Sequence, residues 1–152
     1  MPELPEVETA RRLLERHLLG RRIVRAATVR DTIVYDGVSA RRFASALRGR
    51  RVAGVQRRGK YMYLELDRPP HPVFHFGMTG RFFAYRDVGD RPRFWKVELL
   101  TDRGVRLAMT NARRLGRIRL QHDPLHELPL ARLGFDPLLD LPTFTVFRDL
   151  LA

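Results

Sequence analysis

Apolar residues recur at helical spacing at Val7, Ala10, Leu13, Leu14 and Leu18, while Arg11, Arg12, Glu15 and Arg16 fall largely elsewhere. The pattern predicts an amphipathic helix closed by Gly20. Ile23 to Val29 then reads as a strand, and Ser39 to Leu47 as a short helix with a serine cap and Gly49 past its end. From Val52 to Gln121 the signals become those of strands separated by turns. The segments Tyr61 to Leu66, Val73 to Phe76, Arg81 to Tyr85, Phe94 to Thr101, Val105 to Met109 and Arg117 to Gln121 stand out. A helical turn or two is expected over Leu125 to Leu133, and a last helix from Thr143 through Val146, Phe147, Leu150 and Leu151. The expected class is α+β: an antiparallel β-sandwich flanked by an amino-terminal helix and further short helices. No repeat or low-complexity tract interrupts it.

The chain has 152 residues, 44% of them hydrophobic, enough for one domain with a substantial core. Its net charge of +12 changes the picture more. Such a surface calls for a polyanion, with nucleic acid the default and acidic lipid the runner-up. No run approaches the roughly 18 to 20 apolar residues of a membrane span, and the acidic amino terminus does not resemble a secretory signal. A cytoplasmic protein, nucleoid-associated in a bacterium and without a membrane partner, is the simplest expectation. There is no cysteine, hence no disulfide or thiolate ligand. The five histidines make no convincing metal pattern, because Pro124 separates His122 from His126, so no metal is expected within these residues. Only Lys60 and Lys96 among the 29 basic side chains are lysine. A lysine retained against that bias suggests a need for a compact, rotatable ammonium.

The densest chemistry lies in Met1-Pro2-Glu3-Leu4-Pro5-Glu6-Val7-Glu8. Removal of Met1 would expose the secondary amine of Pro2, which can add to a carbonyl carbon and form an iminium, an electron sink for elimination. Glu3 beside it has the chemistry of a general acid or base. The same residues also suit a plain helix start, since proline fits the first turn and carboxylates complement the positive end of the dipole.

This amino terminus resembles that of the formamidopyrimidine-DNA glycosylases, bifunctional glycosylase/lyases that repair oxidised bases. Three later segments resemble the family in the same order: Arg57-Arg58-Gly59-Lys60-Tyr61, His75-Phe76-Gly77-Met78-Thr79-Gly80, and Asn111-Ala112-Arg113-Arg114-Leu115-Gly116. The resemblance implies a catalytic set of Pro2, Glu3, Glu6 and Lys60. Pro2 would be the nucleophile, Glu3 the proton-transfer group and Glu6 a positioning carboxylate. Lys60 and His75 resemble residues that hold phosphates around the lesion. Met78 would fill the gap left by an extruded nucleotide, Arg113 would contact the unpaired base opposite, and Leu115 would insert beside it. Taken alone, Met78 reads as core. Arg57 and Arg58 read as a solvated basic edge that adds positive potential. Arg114 has two readings: a DNA contact, or a strut held by a carboxylate that the sequence does not identify.

Two departures from the family pattern matter. Asn111-Ala112 and Leu115 stand where the family has Asp-Pro and Phe, which removes a loop constraint, an acidic group and stacking area. Arg93-Phe94-Trp95-Lys96 replaces a segment that often carries histidines, and Trp95 reads as an ordinary core or surface aromatic. Leu4 favours the formamidopyrimidine branch over the endonuclease VIII branch, which commonly has glycine after Pro-Glu.

The resemblance implies a base-excision-repair enzyme, acting as a monomer on damaged double-stranded DNA, that removes oxidised purines such as formamidopyrimidine and 8-oxoguanine. Residues 1–152 would be its amino-terminal catalytic domain, without the helix-two-turn-helix domain and zinc finger that follow in the family. No cofactor is then expected in this chain, and zinc would belong to that missing region. A non-catalytic DNA-binding derivative is the first alternative, and a structural RNA-binding protein the second. While Met1 remains attached, the Pro2 nitrogen is an amide and the iminium route is closed.

Overall fold

The computed structural model describes residues 4–132. Helix α1 spans Leu4–Leu18, three residues earlier than the apolar spacing alone suggests. Pro5 permits this, because an amide N–H in the first turn has no intrahelical acceptor to lose. Val7, Leu14 and Leu18 of α1 are buried. Strand β1 spans Ile23–Thr28. Helix α2 spans Ala40–Leu47, and its Ser39 cap accepts the Arg42 N–H at 3.1 Å, as its sequence signal implies. Seven strands follow: β2 Val52–Arg58, β3 Tyr61–Leu66, β4 His71–His75, β5 Arg81–Tyr85, β6 Trp95–Thr101, β7 Arg106–Thr110 and β8 Arg117–Gln121.

The strands form two four-stranded antiparallel sheets, β1-β6-β7-β5 and β2-β3-β4-β8. The fold is therefore an α+β sandwich. Phe43 of α2, Phe74 of β4 and Phe82 of β5 meet between the layers, with ring centroids 6.2 and 5.3 Å apart. Truncating one of these buried rings to alanine would cost roughly 3–5 kcal/mol. β2 is the strand whose own pattern did not stand out. Gly54 and three polar residues dilute its alternation, yet Val52, Val55 and Arg57 point inward. Two 3-10 turns, Pro124–His126 and Leu130–Arg132, occupy most of the stretch expected to turn helically after Leu125. The helix expected from Thr143 lies outside the described residues, as do Pro2 and Glu3.

Strand register gathers the chemistry at one end of the sandwich. Thr110 pairs with both Arg81 and Trp95, so the 76–80 turn, the 91–94 segment and the 111–116 loop leave the first sheet side by side. His75 pairs with Tyr61 and Arg117, which aligns the Gly59-Lys60 turn with the same end of the second sheet. The 76–80 and 111–116 connections both cross between sheets, so the two rims coincide.

Candidate functional site

The 76–80 turn and the 111–116 loop are packed into one unit. Asn111 is fully buried, donates through Nδ2 to the Phe76 carbonyl at 2.6 Å, and accepts the Gly116 N–H on Oδ1 at 3.0 Å. The Arg113 N–H adds a bond to Thr79 Oγ1 at 3.3 Å. Gly77 has φ 67, and a Cβ there would lie 2.5 Å from backbone atoms of Leu115 and Gly116. Only glycine allows the two backbones to meet this closely. The expectation that replacing Asp-Pro removes a loop constraint is thus corrected: Asn111 supplies the constraint, using a donor that an ionised aspartate lacks.

This locked base projects Met78, 41% exposed, and Leu115, 48% exposed, together with exposed Arg113. Met78 is therefore not a core residue. Arg114 faces the other way. Its Nε and Nη2 donate to Asp31 Oδ2 and Oδ1, both at 2.9 Å, in a bidentate fork. Asp31 is the carboxylate partner that the sequence left unnamed. Arg114 adopts φ 57, so the fork is made from a left-handed backbone at the point where the loop reverses. Asp31 also accepts from Lys96 Nζ at 2.9 Å and from the N–H groups of Ile33 and Val34. The Arg114 fork, the Val34 and Ile33 amides and the Lys96 ammonium hold its carboxyl well below the usual range, against the opposing effect of burial. Lys96 thus has a structural task.

The second rim carries Lys60 and His75. Lys60 is half-buried in the turn between β2 and β3, and His75 ends β4 with its ring tilted against that of Tyr61, centroids 4.5 Å apart. His75 Nδ1 accepts the Gly77 N–H at 3.2 Å, which leaves the proton of a neutral ring on Nε2. Burial, followed by the positive charges of Arg119, Lys60 and Arg117, pushes the His75 pKa down. A neutral Nε2–H donor amid cations suits a phosphate oxygen.

Beside these rims lies the start of α1. Glu6 is exposed and borders a groove of about 400 Å³ shared with Phe76, Gly80 and Phe82. Glu8, to which the sequence reading gave no role, is buried. It receives Arg11 at 2.8 Å, Arg12 at 3.1 Å and Arg57 at 2.9 Å. Hydrogen bonds from Arg11 first, then Arg57 and Arg12, lower its pKa to about 2 although burial opposes them. Arg57 also donates to the Gly59 carbonyl at 2.9 Å, next to Lys60. The solvated reading of Arg57 is corrected: its side chain is 0% exposed, an internal tie between α1 and the Lys60 turn. Trp95 is half-buried under the Arg91 guanidinium, 4.1 Å from its ring, in keeping with an ordinary structural aromatic.

A cation-lined rim and exposed apolar side chains on a rigid base lie at one end of an α+β sandwich, beside Glu6 in the first turn of α1. The formamidopyrimidine-DNA glycosylase N-terminal domain matches this chain over residues 1–118.

The chain belongs to the formamidopyrimidine-DNA glycosylase family.

A formamidopyrimidine-DNA glycosylase of Arabidopsis thaliana is 36% identical over 165 aligned positions, covering 100% of this chain and 42% of that protein. One from Paracoccus denitrificans is 38% identical over 148 positions, 92% of this chain and 52% of that one. The crystal structure of wild-type Lactococcus lactis Fpg (MutM) with N7-benzyl-Fapy-dG-containing DNA superposes with a TM-score of 0.72 at 26% identity, covering 82% of this chain and 45% of the other. The same Fpg bound non-covalently to DNA containing an AP site gives 0.72 at 25% identity, with 82% and 46% covered. The chain thus spans about half the length of the glycosylases it matches. The zinc that the resemblance assigns to a family finger has no fitting donor set here: the chain lacks cysteine, and no three His, Asp or Glu are grouped for a metal among the described residues. No helix of the described residues is long and apolar enough to cross a membrane.

Proposed function

We propose that this chain is the catalytic amino-terminal domain of a bifunctional DNA glycosylase and abasic-site lyase of base-excision repair. It acts as a monomer on damaged double-stranded DNA in the nucleoid-containing cytoplasm of a bacterium. Oxidised purines such as formamidopyrimidine and 8-oxoguanine are its substrates. The observation that carries the reading is the exposure of Met78, Arg113 and Leu115 on one rigid base, beside the rim of Lys60 and His75. A base cannot be removed inside the stack, so a wedge beside phosphate-holding groups is what extrusion requires.

In this mechanism Lys60 and the neutral His75 hold phosphates at the lesion, while Met78 and Leu115 occupy the space vacated by the extruded nucleotide. Arg113 reads the orphaned base opposite. The Pro2 nitrogen, freed of Met1, bonds C1′ as the bond from C1′ to the base breaks. Glu3 donates a proton as the sugar ring opens to the iminium. Glu3, now a carboxylate, takes the C2′ proton as the C3′–O bond breaks and the 3′ phosphate leaves, so base release and strand nicking share one covalent intermediate. Glu6 positions the reacting groups from the first turn of α1.

Borohydride trapping on abasic-site DNA tests the nucleophile in the complete protein. Met1-free protein should form the adduct, Pro2→Gly should weaken it through its poorer primary amine, and retention of Met1 should abolish it. Undiminished trapping with Met1 attached would remove Pro2 from its role. Glu3→Gln should depress base excision more than DNA binding, because it removes proton transfer while keeping side-chain volume.

A further inference from the structure

Phe94 is the feature at this end of the molecule that the glycosylase mechanism above leaves unused. It adopts φ 63, a left-handed conformation that a bulky residue enters only at a cost. Its side chain is 49% exposed, so no gain of core burial compensates. Its carbonyl accepts the Asn111 N–H at 3.0 Å, and Asn111 is the residue that locks the 111–116 loop to the 76–80 turn. Lys96, two residues on, binds the same Asp31 that holds Arg114. The strained backbone therefore aims the Phe94 ring into solvent from the frame that carries Leu115.

The Arg93 guanidinium lies 4.6 Å from the Phe94 ring centroid. A guanidinium-backed aromatic ring with open surface is suited to a planar π ligand, and a nucleobase is such a ligand. Leu115 offers apolar volume to an opened base step but no ring. Resting on the function proposed above, we infer that Phe94, backed by Arg93, is a stacking platform for a nucleobase unstacked by the insertion loop. It supplies the aromatic area that Leu115 does not. The bland alternative is that the ring only shields the base of the loop. Exposure of about half the side chain argues against that, because a shield buries itself.

Dissociation constants for two duplexes, identical except that one carries a tetrahydrofuran abasic analogue, test the platform in the complete, Met1-free protein. The parent should prefer the tetrahydrofuran duplex. Phe94→Leu keeps apolar volume without the ring, and Phe94→Gly removes the ring while relieving the backbone, so it retains folding. Each should cut the preference about tenfold, with Phe94→Tyr keeping it to within about twofold, as expected for loss or retention of a base–aromatic stack. Affinity for the intact duplex should be unchanged in all variants, since the phosphate contacts remain. A parental preference that Phe94→Leu retains in full would overturn the platform alone. Equal loss in Phe94→Tyr and Phe94→Gly would overturn it too, in favour of a role in loop shape. A parent with no preference for either duplex would end the glycosylase reading and the platform with it.

Discussion

Two buried carboxylates anchor opposite halves of this site, and they are built differently. Glu8 draws Arg11 and Arg12 from its own helix, at i+3 and i+4, and reaches across the fold for Arg57. Asp31 draws Lys96 and Arg114 from 65 and 83 residues away, with two local amides beside them. The Glu8 network closes on a cation with no route to solvent, whereas Arg114 is 47% exposed at its side chain. One carboxylate therefore secures the fold around the start of α1, and the other sets the posture of a loop. Burial of the partner, more than the number of bonds, separates the two roles.

The sharpest way to break that distinction is to remove Glu8. Glu8→Ala removes the carboxylate that Arg11, Arg12 and the buried Arg57 share and should lower unfolding free energy by about 3 kcal/mol in urea denaturation. A loss under about 1 kcal/mol would show that Arg57 does not depend on Glu8 and would collapse the contrast. Asn111→Asp comes next. It places a carboxylate oxygen against the Phe76 carbonyl in a fully buried position and should cost about 2 kcal/mol, while the Gly116 amide exchanges faster with deuterium. Asp31→Asn should cost less still, because Arg114 can turn to water. Its main effect should be a loss of preference for abasic over intact duplex. A large stability loss with unchanged preference would reverse the assignment of roles.

Acid titration separates the anchors more finely. A carboxylate whose pKa is lowered in the folded state stabilises the protein above its unfolded pKa and loses that contribution as pH falls through the folded value. For Glu8 the window runs from the ordinary 4.5 down to about 2. The parent should lose stability across it, and Glu8→Gln should flatten the slope. For Asp31 the loss continues to lower pH. The smallest effect belongs to His75. Its folded pKa is also lowered, so its contribution is present above 6.5 and declines as pH falls below it. His75→Gln should remove that shallow slope below pH 6.5. A slope that persists in the variant would assign it to another group.

The contrast between the anchors is also a contrast in what can be read from a chain. The spacing of Glu8 to Arg11 and Arg12 is a local signal, available before any fold is known. Asp31 carries no such signal, since its partners converge only when β6 and the 111–116 loop are assembled. Asn111 reads as the loss of a familiar aspartate until the 76–80 turn is brought against it. Arg57 is hidden for a related reason: in a chain with 27 arginines, composition does not mark one that points inward.

The local elements, the class of fold and the family are legible in the chain without its fold. Apolar period, the Ser39 cap and the glycine turns act over a few residues, and the amino-terminal run with three ordered segments is read residue by residue. Tertiary structure alone decided that Met78, Arg113 and Leu115 stand on one base, that Arg114 serves Asp31, and that the Phe94 ring faces solvent beside them. Those facts depend on strand register, which sets which ends of distant strands lie together. Register is fixed by the packing of the whole sandwich, because shifting one strand by one residue would turn its buried face outward.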